Sequence, residues 1–240
     1  MKTGRLSSAV ALLSVLIATG ALGDNTVTIG SSPMTDVSDW DDEYCVADTS
    51  CGANSSQNDG KGACIASNFP TSTHAYLRYD YDEVGLSGNN TMDGCWLVDV
   101  DEDDLVDRAL CFTIGSSGGL ANSIATTLYS CSGSANSCGG SPAPLVSDAM
   151  CAFNNATPDG SQLLDCDVGD NDLAVECSVS LSDMGWTAGD TLQLIQGCST
   201  SSAQPTSSTF ECFGEPGSPL IIDPNTGGNM PVELQFFTIE

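Results

Sequence analysis

Positive charge is scarce in this chain: 5 Lys and Arg stand against 32 Asp and Glu, with a single histidine. So few cations cannot neutralise a phosphate backbone, which excludes nucleic acid as a partner. The same imbalance argues against adhesion to an anionic membrane surface. No apolar run reaches the ~18 residues that a membrane-crossing helix needs, so no membrane insertion is expected after leader cleavage. Neither G-x-G-x-x-G nor a Walker lysine occurs, so no nucleotide-cradling loop is expected. There is no C-x2-C pair, and with His74 as the sole imidazole the usual zinc-site patterns are excluded.

What is present begins with a leader. Lys2 and Arg5 precede the apolar run Ala9 to Ala18, and Ala21-Leu22-Gly23 offers the small residues a signal peptidase reads. Residues 1–23 are therefore expected to be a signal peptide, with 24–240 forming a single domain. Its first part, 24–43, carries Asp36, Asp39, Asp41, Asp42 and Glu43 and is read as a solvated, extended lead-in. Beyond the leader the chain keeps only Lys61, Arg78 and Arg108 as cations.

Twelve cysteines lie at positions 45, 51, 64, 95, 111, 131, 138, 151, 166, 177, 198 and 212. An even count in an exported chain predicts disulfides. Local pairing is expected, with Cys95–Cys111, Cys166–Cys177 and Cys198–Cys212 as the predicted bridges. Secretion to the extracellular space or the periplasm is the matching compartment.

Short β-type runs recur between clusters of Gly, Ser, Asn, Asp and Pro. They include Thr26 to Ile29, His74 to Tyr81, Cys95 to Val100, Leu105 to Ile114, Leu173 to Ser180, Thr191 to Ile195 and Val232 to Ile239. A helical reading is open only at Ser117 to Leu128 and Ser180 to Gly185. The pattern predicts an all-β, disulfide-stapled antiparallel β-sandwich or jelly-roll-like domain. Along 74–81, period-2 alternation puts Ala75, Leu77, Tyr79 and Tyr81 on the core face and His74, Tyr76, Arg78 and Asp80 on the other.

The most informative stretch runs from Cys95 to Ile114. Two apolar runs flank Asp99, Asp101, Glu102, Asp103, Asp104 and Asp107, a density of like charge that calls for a neutralising ion. Pairing about Asp103 sets Asp99 opposite Asp107, Leu97 opposite Ala109 and Cys95 opposite Cys111, with Trp96, Val98, Leu110 and Phe112 on the core face. The spacing D-x-D-x-D-D-x-x-D offers carboxylates at Asp99, Asp101, Asp103 and Asp107, with the Leu105 carbonyl at position 7. These are hard oxygen donors of the kind Ca²⁺ gathers six to eight at a time.

This nine-residue stretch resembles the D-x-D-x-D-G-x-x-D calcium loops of integrin-type propellers, thrombospondin type 3 repeats and dockerins. It departs from them at position 6, Asp104 instead of Gly, and at position 12, where Leu110 replaces a bidentate Glu. The chain is also similar in style to secreted bacterial β-sandwich proteins of unassigned function. That resemblance rests on Asp42 to Val46, the Gly85-Leu86-Ser87-Gly88-Asn89-Asn90 turn and the acidic hairpin. It implies a fold and a calcium loop, and no catalytic residues.

Other constellations carry less. Asp165, Asp167, Asp170, Asn171 and Asp172 form a second acidic patch without regular spacing. Gly115 to Gly119 matches G-x-S-x-G, but His74 precedes Ser117, the wrong order for an α/β-hydrolase. Asn54, Asn89 and Asn155 begin N-x-S/T sequons. The expectation is a secreted, calcium-stabilised, non-enzymatic binding or surface-associated module, its ligand a glycan or an envelope protein. A glycan hydrolase using paired carboxylates and a purely structural envelope component are the alternatives.

Overall fold

The computed structural model describes residues 45–47, 60–67, 73–81, 91–117, 120–155, 173–207, 209–215 and 217–223. The leader, the lead-in, the second acidic patch and the strands expected at 26–29 and 232–239 lie outside them. The chain is built from antiparallel strands. A five-stranded sheet has the order β1 (Cys45–Ala47), β2 (Gly60–Ser67), β3 (His74–Tyr81), β9 (Leu173–Ser180), β8 (Met150–Asn155). The second runs β11 (Thr209–Phe213), β10 (Leu192–Thr200), β4 (Thr91–Asp99), β5 (Arg108–Ser117), β6 (Leu120–Ser130), β7 (Ala143–Leu145). β12 (Leu220–Ile222) joins the latter by pairing with the start of β10. One short helix, α1 (Leu181–Met184), follows β9 with Ser180 as its N-cap and Gly185 in the left-handed conformation after it.

The two sheets meet face to face through the residues that period-2 alternation points inward. Ala75, Leu77, Tyr79 and Tyr81 of β3 are fully buried, as are Trp96, Val98, Leu110 and Phe112 of the β4–β5 hairpin. The Tyr79 ring stands 5.9 Å from Trp96 and 5.4 Å from both Phe112 and Phe213. Polar tips of these aromatics find partners across the core: the Tyr79 hydroxyl lies 2.9 Å from Ser199 Oγ, and Trp96 Nε1 donates to the Arg78 carbonyl at 2.9 Å.

Two sequence expectations need correction. The segment Ser117 to Leu128 is not helical; most of it is β6, which pairs with β5 along its whole length. Its threonines suit a pleated strand, and tertiary pairing overrides a weak helical tendency. Cys177 bridges Cys151 and not Cys166, because β8 sets Cys151 directly opposite it. Proximity in sequence is a poor guide where strand register decides. Cys51 and Cys166 lie outside the described residues. The predicted Cys95–Cys111 and Cys198–Cys212 bridges are present, together with Cys45–Cys64 and Cys131–Cys138. Four of the five described bridges join register partners on neighbouring strands. Each such bridge contributes roughly 2–4 kcal/mol, mainly by restricting the unfolded chain.

The central strands β4 and β10 of the seven-stranded sheet are buried on both faces. Behind the hairpin a second apolar cluster gathers Cys95, Leu97, Val106, Ala109, Cys111, Cys138, Ile195 and Cys198. The outer face of the five-stranded sheet is covered as well: Arg78 and Asp80, read as a polar face, are 1% and 0% exposed. Arg78 Nε donates to Asp80 Oδ1 at 2.8 Å there, and Lys61 and Glu176 are buried too. Glu176 is the register partner of Arg78.

β10 packs closely on β2 at Gly197, where a Cβ would sit 2.2 Å from the Ala63 Cβ and 3.2 Å from the Phe213 ring. Gly197→Ala should therefore cost about 1–3 kcal/mol as an overpacking change. Urea denaturation of the wild type and the variant measures it; an unchanged midpoint would mean the sheets are not packed this tightly.

Candidate metal centre

The acidic turn is built from the end of β4 outward. Asp99 is the last residue of β4 and its side chain is fully buried. Its carboxylate organises the turn: Oδ1 accepts the N–H groups of Asp101 at 3.1 Å and Glu102 at 2.8 Å, and Oδ2 accepts that of Asp104 at 2.7 Å. Asp103 Oδ1 accepts the Leu105 N–H at 2.9 Å, and Asp107 Oδ2 accepts that of Val100 at 2.9 Å. Backbone donors that a tight turn would leave unpaired are thus satisfied by the acids themselves.

This folding demands unusual backbone. Glu102 and Asp104 have φ of 64° and 63°, the left-handed region that non-glycine residues adopt at some cost. Asp104 occupies position 6 of the turn, a conformation that Gly would adopt without that cost.

The turn is also held from behind. Asp107 N donates to the Val98 carbonyl at 3.0 Å, and the Asp107 carbonyl accepts from Cys131 N at 2.8 Å. Val106, fully buried, donates its N–H to Ser134 at 3.0 Å, inside the loop closed by Cys131–Cys138. Arg108 Nη1 caps the Asp107 carbonyl at 2.9 Å.

The result is a convergence of oxygens. Asp99, Asp101, Asp103 and Asp107 each present one carboxylate oxygen, all within 4.8 Å of one another, and such a group could hold a metal ion. The four carboxylates picked from spacing are brought together. The fifth expected ligand, the Leu105 carbonyl, rests on spacing alone. The charge of Asp107, then slight burial, then the charges of Asp103 and Asp99 hold the Asp101 carboxyl above its ordinary range.

His74 lies elsewhere, at the start of β3. Its Nε2 is 3.4 Å from Asp148 Oδ2 and its Nδ1 is 3.3 Å from Thr73 Oγ1. Asp148 Oδ1 also accepts the Ser180 N–H at 2.8 Å, and Asp183 Oδ2 accepts the Asp148 N–H. These contacts tie the segment before β8 to α1, a structural role. Sequence reading missed this tie and the buried Lys61, Arg78, Asp80 and Glu176 group, because both depend on residues distant in the chain.

Replacing Asp99 by Ala would strip three backbone N–H groups of their acceptor. The loss should be about 1–3 kcal/mol in the absence of divalent cations, read by thermal unfolding in chelator; no loss would show that the turn is not organised by this carboxylate. A second expectation concerns pH. Burial alone would raise the Asp148 carboxyl, but the Ser180 hydrogen bond and the neighbouring His74 outweigh it and hold it below the ordinary range. A carboxyl lowered by folding contributes stability above its unfolded pKa, and that contribution fades as pH falls through the lowered value. Stability should therefore fall less steeply with acid in Asp148→Asn than in the wild type; identical slopes would contradict this.

Among the described residues no helix is long and apolar enough to cross a membrane. Comparison with known proteins gives no matching family, no matching curated relative and no matching solved structure.

Proposed function

We propose that this chain is a calcium-stabilised, non-enzymatic binding or surface-associated module that works outside the cytoplasm. The observation that carries the reading is the convergence of four aspartate oxygens within 4.8 Å at the tip of one hairpin. Calcium is favoured over magnesium because four protein carboxylates converge here, whereas magnesium is commonly held by only one or two. Magnesium demands near-octahedral geometry and keeps much of its water. The five described disulfides suit an oxidising compartment. The expected leader adds the route of export. A glycan or an envelope protein is the partner class that such a module would engage.

Calcium binding only the folded chain should raise its melting temperature. At 100 times Kd the gain is about 2.7 kcal/mol, or about 5–10 °C for a domain of this size. Asp101→Asn combined with Asp103→Asn should abolish that increment while leaving the protein no less stable in chelator, since two repelling charges are removed. Differential scanning calorimetry at fixed ionic strength separates the cases, because matched NaCl corrects for screening of surface charge. A shift that NaCl or Mg²⁺ fully reproduces, or that the double variant retains, would refute the calcium reading.

A further inference from the structure

Four cysteines stand in one row across four adjacent strands of the seven-stranded sheet. Cys212 of β11 opposes Cys198 of β10, Cys198 opposes Cys95 of β4, and Cys95 opposes Cys111 of β5. The bridges join the outer pairs, Cys198–Cys212 and Cys95–Cys111. Directly opposed residues on antiparallel neighbours hold their Cβ atoms about 4.5–5.5 Å apart. Cys198 therefore has a second sulfur neighbour, Cys95, besides the one it is bonded to.

Accessibility along the row is graded. Cys95 and Cys111 are 0% exposed and Cys198 2%, whereas Cys212 is exposed on the edge strand. A cavity of about 480 Å³ opens on Cys212, Cys198 and Cys95 together. The rest of its wall, including Asn136, Gln196, Thr200 and Thr209, carries no charged side chain. In a chain with formal charge −27 this is a neutral approach path for a thiolate that the acidic surface elsewhere repels.

We propose that this cavity is a thiol-exchange site: a low-molecular-weight thiol attaches to Cys212, and the sulfur it displaces re-pairs inward along the row. The entering thiolate attacks Sγ of Cys212, forming a mixed disulfide and expelling Cys198 Sγ as thiolate. Cys198 Sγ then attacks Sγ of Cys95, forming Cys95–Cys198 and expelling Cys111 Sγ, which takes up the proton given up by the entering thiol. Two disulfide bonds exist before and two after, and one thiol is consumed as another is released, so the small thiol is the sole co-reactant. Cys212, exposed on the edge strand, is the open sulfur of its bridge, and in-register pairing makes Cys95 the sulfur that Cys198 meets. The product joins β4 to β10 and releases the staples of β11 and β5.

The test is to expose the folded protein to reduced glutathione, quench with acid, denature, alkylate and map peptides by mass spectrometry. The expected product carries glutathione on Cys212, a Cys95–Cys198 bridge and the alkyl label on Cys111. Label on Cys198 with Cys95–Cys111 intact would overturn the inward step. Failure to incorporate glutathione, or incorporation first at Cys131–Cys138 or Cys151–Cys177, would overturn the site itself. Cys212→Ser tests the second step without added thiol, because it leaves Cys198 as a free thiol. Label divided between Cys198 and Cys111, with a Cys95–Cys198 peptide, is expected; label on Cys198 alone contradicts it. Should that variant fail to fold, the wild-type experiment decides alone.

Discussion

Four carboxylates with oxygens within 4.8 Å of one another repel, and the hairpin that forces them together is the constraint on which this account depends. The pairing of β4 with β5 is fixed by register from Thr91 opposite Gly115 through Val98 opposite Arg108. The Cys95–Cys111 bridge locks that register. A slip of one residue would send Trp96 and Phe112 out of the core, so the acidic tip has no freedom to relax by shifting. Within the tip, Asp99 turns repulsion to use: its buried carboxylate accepts three backbone N–H groups, and the chain curls around it. Backbone dipoles offset part of the charge, and a divalent cation would offset the remainder.

The second apolar cluster connects this tip to the rest of the outer sheet face. Val106, just before Asp107, is buried beside Leu97, Cys138 and Ile195, while its N–H is held by Ser134. The Cys131–Cys138 loop that supplies Ser134 also contributes Asn136 and Ser137 to the wall of the neutral cavity. One structure thus buttresses the acidic turn on one side and bounds the cysteine row on the other. The tip is negative and exposed, whereas the cavity is uncharged and floored by sulfur. Different chemistry is invited at each.

Much of this was legible in the sequence, for identifiable reasons. β-type runs give the limits of β3 and β9, and period-2 alternation gives the inward face of β3, Ala75, Leu77, Tyr79 and Tyr81. The hairpin register follows from the symmetry of Cys95 and Cys111 about Asp103, and the four aspartates follow from spacing. Non-local facts were not legible. Cys177 pairs with Cys151 because β8 returns alongside β9, a matter of topology and not of cysteine spacing. β6 lacks a clean alternation, so its pairing with β5 could not be read. The burial of Arg78 and Asp80 depends on chain packed over a face that looks polar in isolation. The row of four cysteines needs three strand registers at once, one of them between β4 and β10, which are far apart in sequence.

The central claim is that the hairpin tip is a calcium site, and crystallography with Ca²⁺ tests it most directly. A crystal grown with Ca²⁺ should show one ion among Asp99, Asp101, Asp103 and Asp107, with carboxylate oxygens at about 2.3–2.6 Å and the Leu105 carbonyl among its ligands. Anomalous scattering at a long wavelength identifies the ion as calcium. Well-ordered carboxylates around water alone, at calcium concentrations that saturate any thermal shift, would contradict the account.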